Sequence, residues 1–376
     1  MNELGIGLIG SGFMGKAHTI AYRALPAVFP EAGAVHLAVL ADADEENARA
    51  AGQRLGFTRC SGDWPTLVTD PAVDIVDVCS PNHLHKPMAL AAIEAGKHVY
   101  CEKPLALTAV DAEAMADAAE AAGVVTLVGF NYAKNPATAL VREIIASGEI
   151  GDVVHFRGTH NEDYLADPAA PFNWRCDRAL SGSGALGDVG AHILHLARYL
   201  VGSVVEVCAD LRTVVRERPL PEDRTRTRSV ENDDEAACLM RFAGGASGVV
   251  ETSRVAVGRK MGLTYEITGT RGAIAFDQER MSEIRLYTGS DPRGRQGYRT
   301  ILLGPDHPDY GAFSPAPGHG LGFNDQKIVE ARDLVTAVRE GTSAAPDFRE
   351  ASRVSRLIEA IEHSAAERAW QALPAV

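Results

Sequence analysis

Over the first 130 residues, short apolar runs alternate with stretches whose apolar positions recur at helical spacing. The runs are Leu4–Ile9, His36–Ala41, Val73–Cys79, Lys97–Cys101 and Val124–Phe130. They are mainly apolar, and their alternation with helix patterns is the signature of a parallel doubly wound sheet. Helices are expected from Phe13, over Asp44–Leu55, from the Pro81-Asn82 break through Gly96, and over Ala109–Ala122. Beyond residue 130 the pattern changes. A helix is predicted over Lys134–Ser147, a strand over Val153–His160 and a strongly periodic helix over Leu186–Val201. Strand-like stretches follow at Val204–Val215, Glu235–Phe242, Gly248–Val257, Leu263–Thr268, Ala273–Phe276 and Glu283–Thr288. Arg216–Asp234 reads as a solvated hairpin connection, Gly304–Gly320 as a Gly- and Pro-rich loop, and Asn324–Arg339 and Arg349–Ala369 as amphipathic helices. The pattern predicts an α/β chain. A doubly wound parallel sheet occupies 1–130. An α+β domain with a large, mainly antiparallel open sheet occupies 131–376, its C-terminal helices packing back.

Composition narrows the partners. A net charge of -13 with no basic concentration argues against nucleic acid. The six cysteines contain no CxxC pair, so neither a disulfide framework nor a zinc site is expected, and a reducing compartment is. The N-terminus lacks a basic-then-apolar leader, and no apolar run approaches the ~20 residues of a membrane span. A cytoplasmic protein with no membrane partner is the expectation.

The chemistry starts at Gly10-Ser11-Gly12-Phe13-Met14-Gly15, directly after the first strand and at the start of a helix. This is the dinucleotide fingerprint in its Rossmann setting. Gly10 allows the turn, Gly12 lets backbone approach a pyrophosphate, and Gly15 lets helix and strand pack closely. Phe13 and Met14 begin the helix whose unpaired N–H groups face the phosphates. Asp42 ends the second strand, where a carboxylate accepts the adenosine ribose hydroxyls and repels a 2′-phosphate, so NAD is favoured over NADP. The alternative is that Asp42 only caps the next helix. Ligands of such sheets bind at the carboxyl ends of strands, and Ser80, Asn82, His85, Glu102, Lys103 and Asn131 all fall there. One of His83 and His85 lines a nicotinamide pocket or simply packs a helix start. Lys103 is placed to stabilise developing alkoxide charge, or else pairs only with Glu102 or the cofactor.

A second focus is Gly184–His195. Asp188 and His192 are four apart, so on a helix they share a face, and a carboxylate beside an imidazole suits a base that takes a hydroxyl proton. The plain alternative is a surface pair. HxxH at His192 and His195 lacks a third ligand, and no metal is expected. No serine-hydrolase elbow or phosphate-binding Walker loop is present.

Taken together, the glycine motif, Asp74–His85, Gly96-Lys97-His98-Val99 through Glu102-Lys103-Pro104, and Gly184–His192 resemble the Gfo/Idh/MocA family of nicotinamide-dependent sugar and polyol oxidoreductases. The resemblance covers nearly the whole chain. It implies a Rossmann domain followed by an open sheet whose outer face makes homodimers or homotetramers. It also implies Lys103, Asp188 and His192 as catalytic lysine, aspartate and histidine, and a frequently cis Lys103–Pro104 bond. His192 would accept the proton, Asp188 orient it, and Lys103 stabilise the alkoxide. Many relatives carry Asp where this chain has His195. Thr159–Tyr164 and Phe172–Arg175 are similar to the branches that oxidise levoglucosan and inositols. There His160 and Asn161 would face the nicotinamide, while Trp174 stacks on a sugar and Arg175 bonds its hydroxyls; loop packing is the alternative for all four. The implied activity is NAD-dependent oxidation of a secondary hydroxyl on a cyclic polyol or sugar such as an inositol, levoglucosan or a hexose. The other readings are a keto-sugar reductase, an NAD-dependent glycosidase and a non-catalytic NAD-binding regulator. All of these place Lys103 and the helix bearing Asp188 at one pocket.

Overall fold

The computed structural model describes residues 3–375. The chain divides into two compact units, Met1–Lys134 with Gly322–Ser355, and Asn135–Leu321 with Arg356–Val376.

The first unit is built on six strands: β1 (Leu4–Ile9), β2 (Val35–Ala41), β3 (Arg59–Ser61), β4 (Ile75–Val78), β5 (His98–Cys101) and β6 (Thr126–Val128). All pairings are parallel and the order is β3-β2-β1-β4-β5-β6. The strand order reverses between β1 and β4, which opens a crevice at their carboxyl ends. Strand β3 and the short helix Trp64–Val68 had no clear signature in the sequence, being only three and five residues long. Helix Glu45–Leu55 is capped by Asp44, whose Oδ1 accepts the Glu46 N–H at 2.8 Å, so capping falls to Asp44 and leaves Asp42 for another task. The chain returns to this unit late. The Val128 N–H donates to the Pro346 carbonyl at 2.9 Å, and helix Phe323–Glu340 packs against helix Phe13–Val28.

The second unit carries β7 (Val153–Asn161), β8 (Val204–Arg212), β9 (Glu217–Pro219), β10 (Thr227–Ser229), β11 (Glu235–Phe242), β12 (Ser247–Ser253), β13 (Gly262–Gly269), β14 (Gly272–Asp277), β15 (Glu283–Thr288), β16 (Arg299–Leu302) and β17 (Gln371–Ala372). Nine of these form one sheet in the order β16-β15-β14-β13-β7-β12-β11-β8-β17. Only β7 and β12 pair in parallel; the rest are antiparallel. Buried and exposed positions alternate strictly along β11, as expected with one face packed and one open. Phe156, Tyr265 and Phe276 stack in the core, with Phe242 edge-on to Phe156. Helix Ala191–Val201 lies across the sheet so closely that a Cβ on Gly158 would meet Ile193 Cγ1 at 2.7 Å.

Two expectations need correction here. The predicted helix from Leu186 is α-helical only from Ala191; Leu186–Gly190 forms a π turn. The 216–234 segment does contain a hairpin, β9 with β10, but it is not all solvated. Arg218 is fully buried, its guanidinium donating to the Leu165 and Asp167 carbonyls at 2.6 and 2.9 Å, and Asn232, Asp233 and Asp234 are buried as well.

Candidate active site

In the first unit the glycine loop has the properties its sequence demands. Gly10 sits at φ +98°, a region that side chains disfavour, and a Cβ there would lie 2.7 Å from the Cys79 carbonyl oxygen. A Cβ on Gly15 would stand 2.0 Å from the Gly10 oxygen, so helix and strand touch through backbone alone. Gly12 is the opposite case: nothing lies within 4 Å of its Cβ position. No side chain caps the helix that follows, which leaves its first N–H groups facing that open space. Phe13 is 74% exposed beside the loop and stacks on Phe323, with centroids 5.7 Å apart, and Met14 is half-buried. Asp42 Oδ2 accepts from the Ser11 N–H at 2.8 Å and the Ser11 hydroxyl at 2.5 Å, while Oδ1 accepts from the Ala43 N–H at 2.7 Å. An aimed carboxylate, an open backbone cradle and uncapped N–H groups together fit a dinucleotide. Gly10, Gly12 and the helix start would hold its pyrophosphate and Asp42 its adenosine ribose.

The other candidates of this unit follow β4, β5 and β6. Ser80 is half-buried and Asn82 buried. The His85 ring is buried, with Nδ1 2.8 Å from the Pro104 carbonyl and Nε2 2.9 Å from the Ser80 carbonyl. Burial pushes its pKa below the ordinary value, against the pull of those two bonds. Asn131 is buried and donates to Gln326 Oε1 at 2.7 Å. The Lys103–Pro104 bond is cis, as the resemblance implied, and Lys103 is half-buried.

Beneath that corner lies a buried set of charged groups that no sequence motif announced. His18 bridges Asp77 (Nδ1 to Oδ1, 2.9 Å) and Glu102 (Nε2 to Oε1, 3.0 Å). Lys327 reaches Glu102 at 2.8 Å and Glu330 at 2.9 Å. Tyr22 donates to Asp77 at 2.9 Å and Tyr100 to Glu330 at 2.5 Å. Burial would lower the His18 pKa, but the Asp77 carboxylate and the bonds to Asp77 and Glu102 outweigh it, even against Lys327, and push it up to about 9. Burial would raise Glu102, yet Lys327 and His18 hold it well below the usual carboxylate range.

In the second unit, His160 is the penultimate residue of β7 and is buried; its Nε2 is 3.2 Å from Glu162 Oε1, and Asn161, which ends the strand, is half-buried. The His160 and His192 rings face each other with centroids 5.7 Å apart. His192 and His195 are buried on the helix, and His195 stacks on Tyr199. Asp188 lies in the π turn, which winds more loosely than an α-helix. Its Oδ2 accepts the Tyr164 hydroxyl at 2.5 Å and meets Arg175 Nε at 3.3 Å. The Arg175 guanidinium in turn lies 4.4 Å over the Trp174 ring. In the sequence Tyr164 carries no signal of its own beyond closing the stretch Thr159–Tyr164.

The start of the turn is held from below. Asp233 accepts the Gly184 and Leu186 N–H groups at 2.6 and 2.8 Å, and burial raises its pKa against those bonds. Beside it, fully buried Arg254 pairs with Asp234 at 2.8 Å and donates to Asn232 at 2.8 Å. Charged residues in a presumed loop were the only trace of this in the sequence.

Both parts of the chain match known proteins. Residues 4–130 match the model of an oxidoreductase family with an NAD-binding Rossmann fold, and residues 138–275 match the GFO/IDH/MocA C-terminal domain. Levoglucosan dehydrogenase of Pseudarthrobacter phenanthrenivorans is 42% identical over the whole of both chains. Myo-inositol 2-dehydrogenase of Thermotoga maritima is 31% identical over 79% of this chain and 81% of that protein. A solved levoglucosan dehydrogenase in complex with NADH and levoglucosan superposes with a TM-score of 0.97 at 44% identity, again over the whole of both chains. With both units matched and the nucleotide cradle in place, the chain belongs to the Gfo/Idh/MocA family of NAD-binding oxidoreductases.

Proposed function

We propose that this protein oxidises a secondary hydroxyl of levoglucosan, or of a cyclic polyol or hexose of similar shape, with NAD. The observation that carries the reading is full-length 42% identity to a levoglucosan dehydrogenase, in a chain that also holds Asp188 between Tyr164 and Arg175 and the His192 ring beside His160. Bound in the first unit, the nicotinamide supplies a hydride acceptor. His192 takes the hydroxyl proton, a role general base catalysis gives to imidazole more than to any other side chain. Asp188 favours the protonated ring, and its own position is fixed by two donors. The Lys103 ammonium stabilises alkoxide character on the substrate oxygen. Arg175 and Trp174 offer a donor fork and an apolar ring, the pair of surfaces a sugar presents in reverse. Asn161 and His160 bond further hydroxyls.

The working form is proposed to be a homodimer or homotetramer joined through the open face of the nine-stranded sheet, in the cytoplasm. All six cysteines are free thiols, as a reducing compartment maintains them. No helix among the described residues is long and apolar enough to cross a membrane.

The test is NADH formation by the purified protein with levoglucosan, inositols and hexoses, offered NAD or NADP. Lys103→Ala and His192→Ala each lower turnover by at least ~10²-fold while NADH still binds. Absence of turnover on every sugar, or near-normal turnover in both variants, overturns the reading.

A further inference from the structure

A lysine that is to stabilise an alkoxide must start from a backbone that is held in place. Lys103 follows a strand of four residues and precedes a proline, so it lies outside the sheet's hydrogen-bond ladder. Two buried side chains restrain this corner. Glu102 Oε2 accepts the Lys103 N–H at 3.1 Å. His85 Nδ1 lies 2.8 Å from the carbonyl of Pro104, the next residue. A glutamate able to bond the following N–H is not fixed by that bond alone, since its side chain has three torsions. Here the second oxygen is held by two cations at once, His18 at 3.0 Å and Lys327 at 2.8 Å. The cations are themselves anchored, His18 by Asp77 and by a parallel stack on Tyr100 at 4.3 Å, Lys327 by Glu330.

We propose that His18, Lys327 and Glu102 form a positioning relay for Lys103: the two buried cations pin one carboxylate oxygen of Glu102 so that the other fixes the Lys103 backbone, and with it the point from which the side chain reaches the reacting oxygen. None of the three is a catalytic residue in this scheme, and His18 acts wholly through Glu102. Burying several charges is costly, and an apolar core of the same shape is commonly as stable or more so. Placing them directly under the corner that carries the reactive lysine gives that cost a function. The proposal rests on the assignment of Lys103 to the reaction, and its test separates the two.

The test is a double-mutant cycle on the full chain, read as turnover at saturating NAD and sugar, with Tm and NADH affinity measured for every variant. If Lys103→Met alone leaves turnover unchanged, the assignment of Lys103 fails and takes the relay with it. If Lys103→Met is strongly impaired, the relay predicts that Glu102→Gln lowers turnover at least tenfold with little change in NADH affinity, and that the double variant is no worse than Lys103→Met. Losses that multiply, or Glu102→Gln within twofold of the parent, overturn the relay and leave the role of Lys103 standing. His18→Gln is read in the same way if Glu102→Gln does not fold. Amide hydrogen exchange on the nucleotide-free protein gives an answer without activity. The Lys103 amide of the parent should be protected and should exchange at least tenfold faster in His18→Gln; exchange in the parent as fast as in an exposed loop overturns the relay.

Discussion

Two glycines three residues apart, Gly12 and Gly15, are expected to fail in opposite ways when each is replaced by alanine. At Gly15 the added carbon would lie 2.0 Å from the Gly10 oxygen and 3.1 Å from its carbonyl carbon, both backbone atoms that no rotamer change can move. Helix and strand must separate. Overpacking of this kind costs ~1–3 kcal/mol, or a Tm lower by about 2–12 °C at ~2–4 °C per kcal/mol. At Gly12 the backbone is extended, φ -66° and ψ -161°, which alanine adopts freely, and nothing lies within 4 Å. The restricted unfolded chain favours Gly12→Ala by ~0.4–1 kcal/mol, and the poorer helix cap offsets this by a similar amount. Tm should stay within about 2 °C. The open space is where the pyrophosphate must approach, so the methyl group should weaken NADH binding by ~1–3 kcal/mol, or about 5- to 150-fold. Thermal melts of the free proteins and NADH titrations followed by fluorescence measure both quantities. Unchanged NADH affinity in Gly12→Ala would refute the placement of the pyrophosphate over this loop. An unchanged Tm in Gly15→Ala would refute the close approach.

Other perturbations follow from the same coordinates. The His18 pKa is raised from its ordinary value to about 9, so its share of stability is complete below pH 6.5 and lost as pH climbs through about 9. Glu102, held below the carboxylate range, acts in the other direction and its share is lost in acid. Melts across pH should therefore fall on the alkaline side, and His18→Gln should flatten that fall; an unchanged alkaline slope contradicts the buried imidazolium. Replacing Arg254 with Met leaves Asp234 buried without its cation and should cost ~3–5 kcal/mol, seen as a lowered urea midpoint; a loss below 1 kcal/mol would show that the pair is solvated. If Asp42 holds the adenosine ribose, Asp42→Ser should lower NAD affinity and narrow or invert the preference over NADP in paired titrations. Preserved discrimination would give that task to another residue.

The division of labour between sequence and tertiary structure runs along contact distance in the chain. Whatever depends on neighbours a few residues apart was legible. Gly10-Ser11-Gly12 after an apolar strand can serve little else, because a turn at positive φ, a backbone cradle and a close helix packing all demand residues without side chains. Strand and helix patterns in alternation forecast a parallel sheet, and a run of strands after one helix forecast a mainly antiparallel open one. The same local logic did not foresee a departure from ideal periodicity: Leu186–Gly190 winds as a π turn, and Asp188, which lies in it, binds Tyr164 and Arg175.

Only the folded chain decided which polar groups are buried together. Lys327 meets Glu102 across 225 residues, Asp233 reaches Gly184 across 49, and nothing in the composition of either segment marks the partner. A lone His18 on a helix or Asp77 inside an apolar strand signals that some partner must exist, because an unpaired buried charge is too costly to keep. Local periodicity is a property of successive residues and can be counted along the chain. Pairing of buried charges is a property of which elements the sheet order makes neighbours, and that order exists only once the chain has closed on itself.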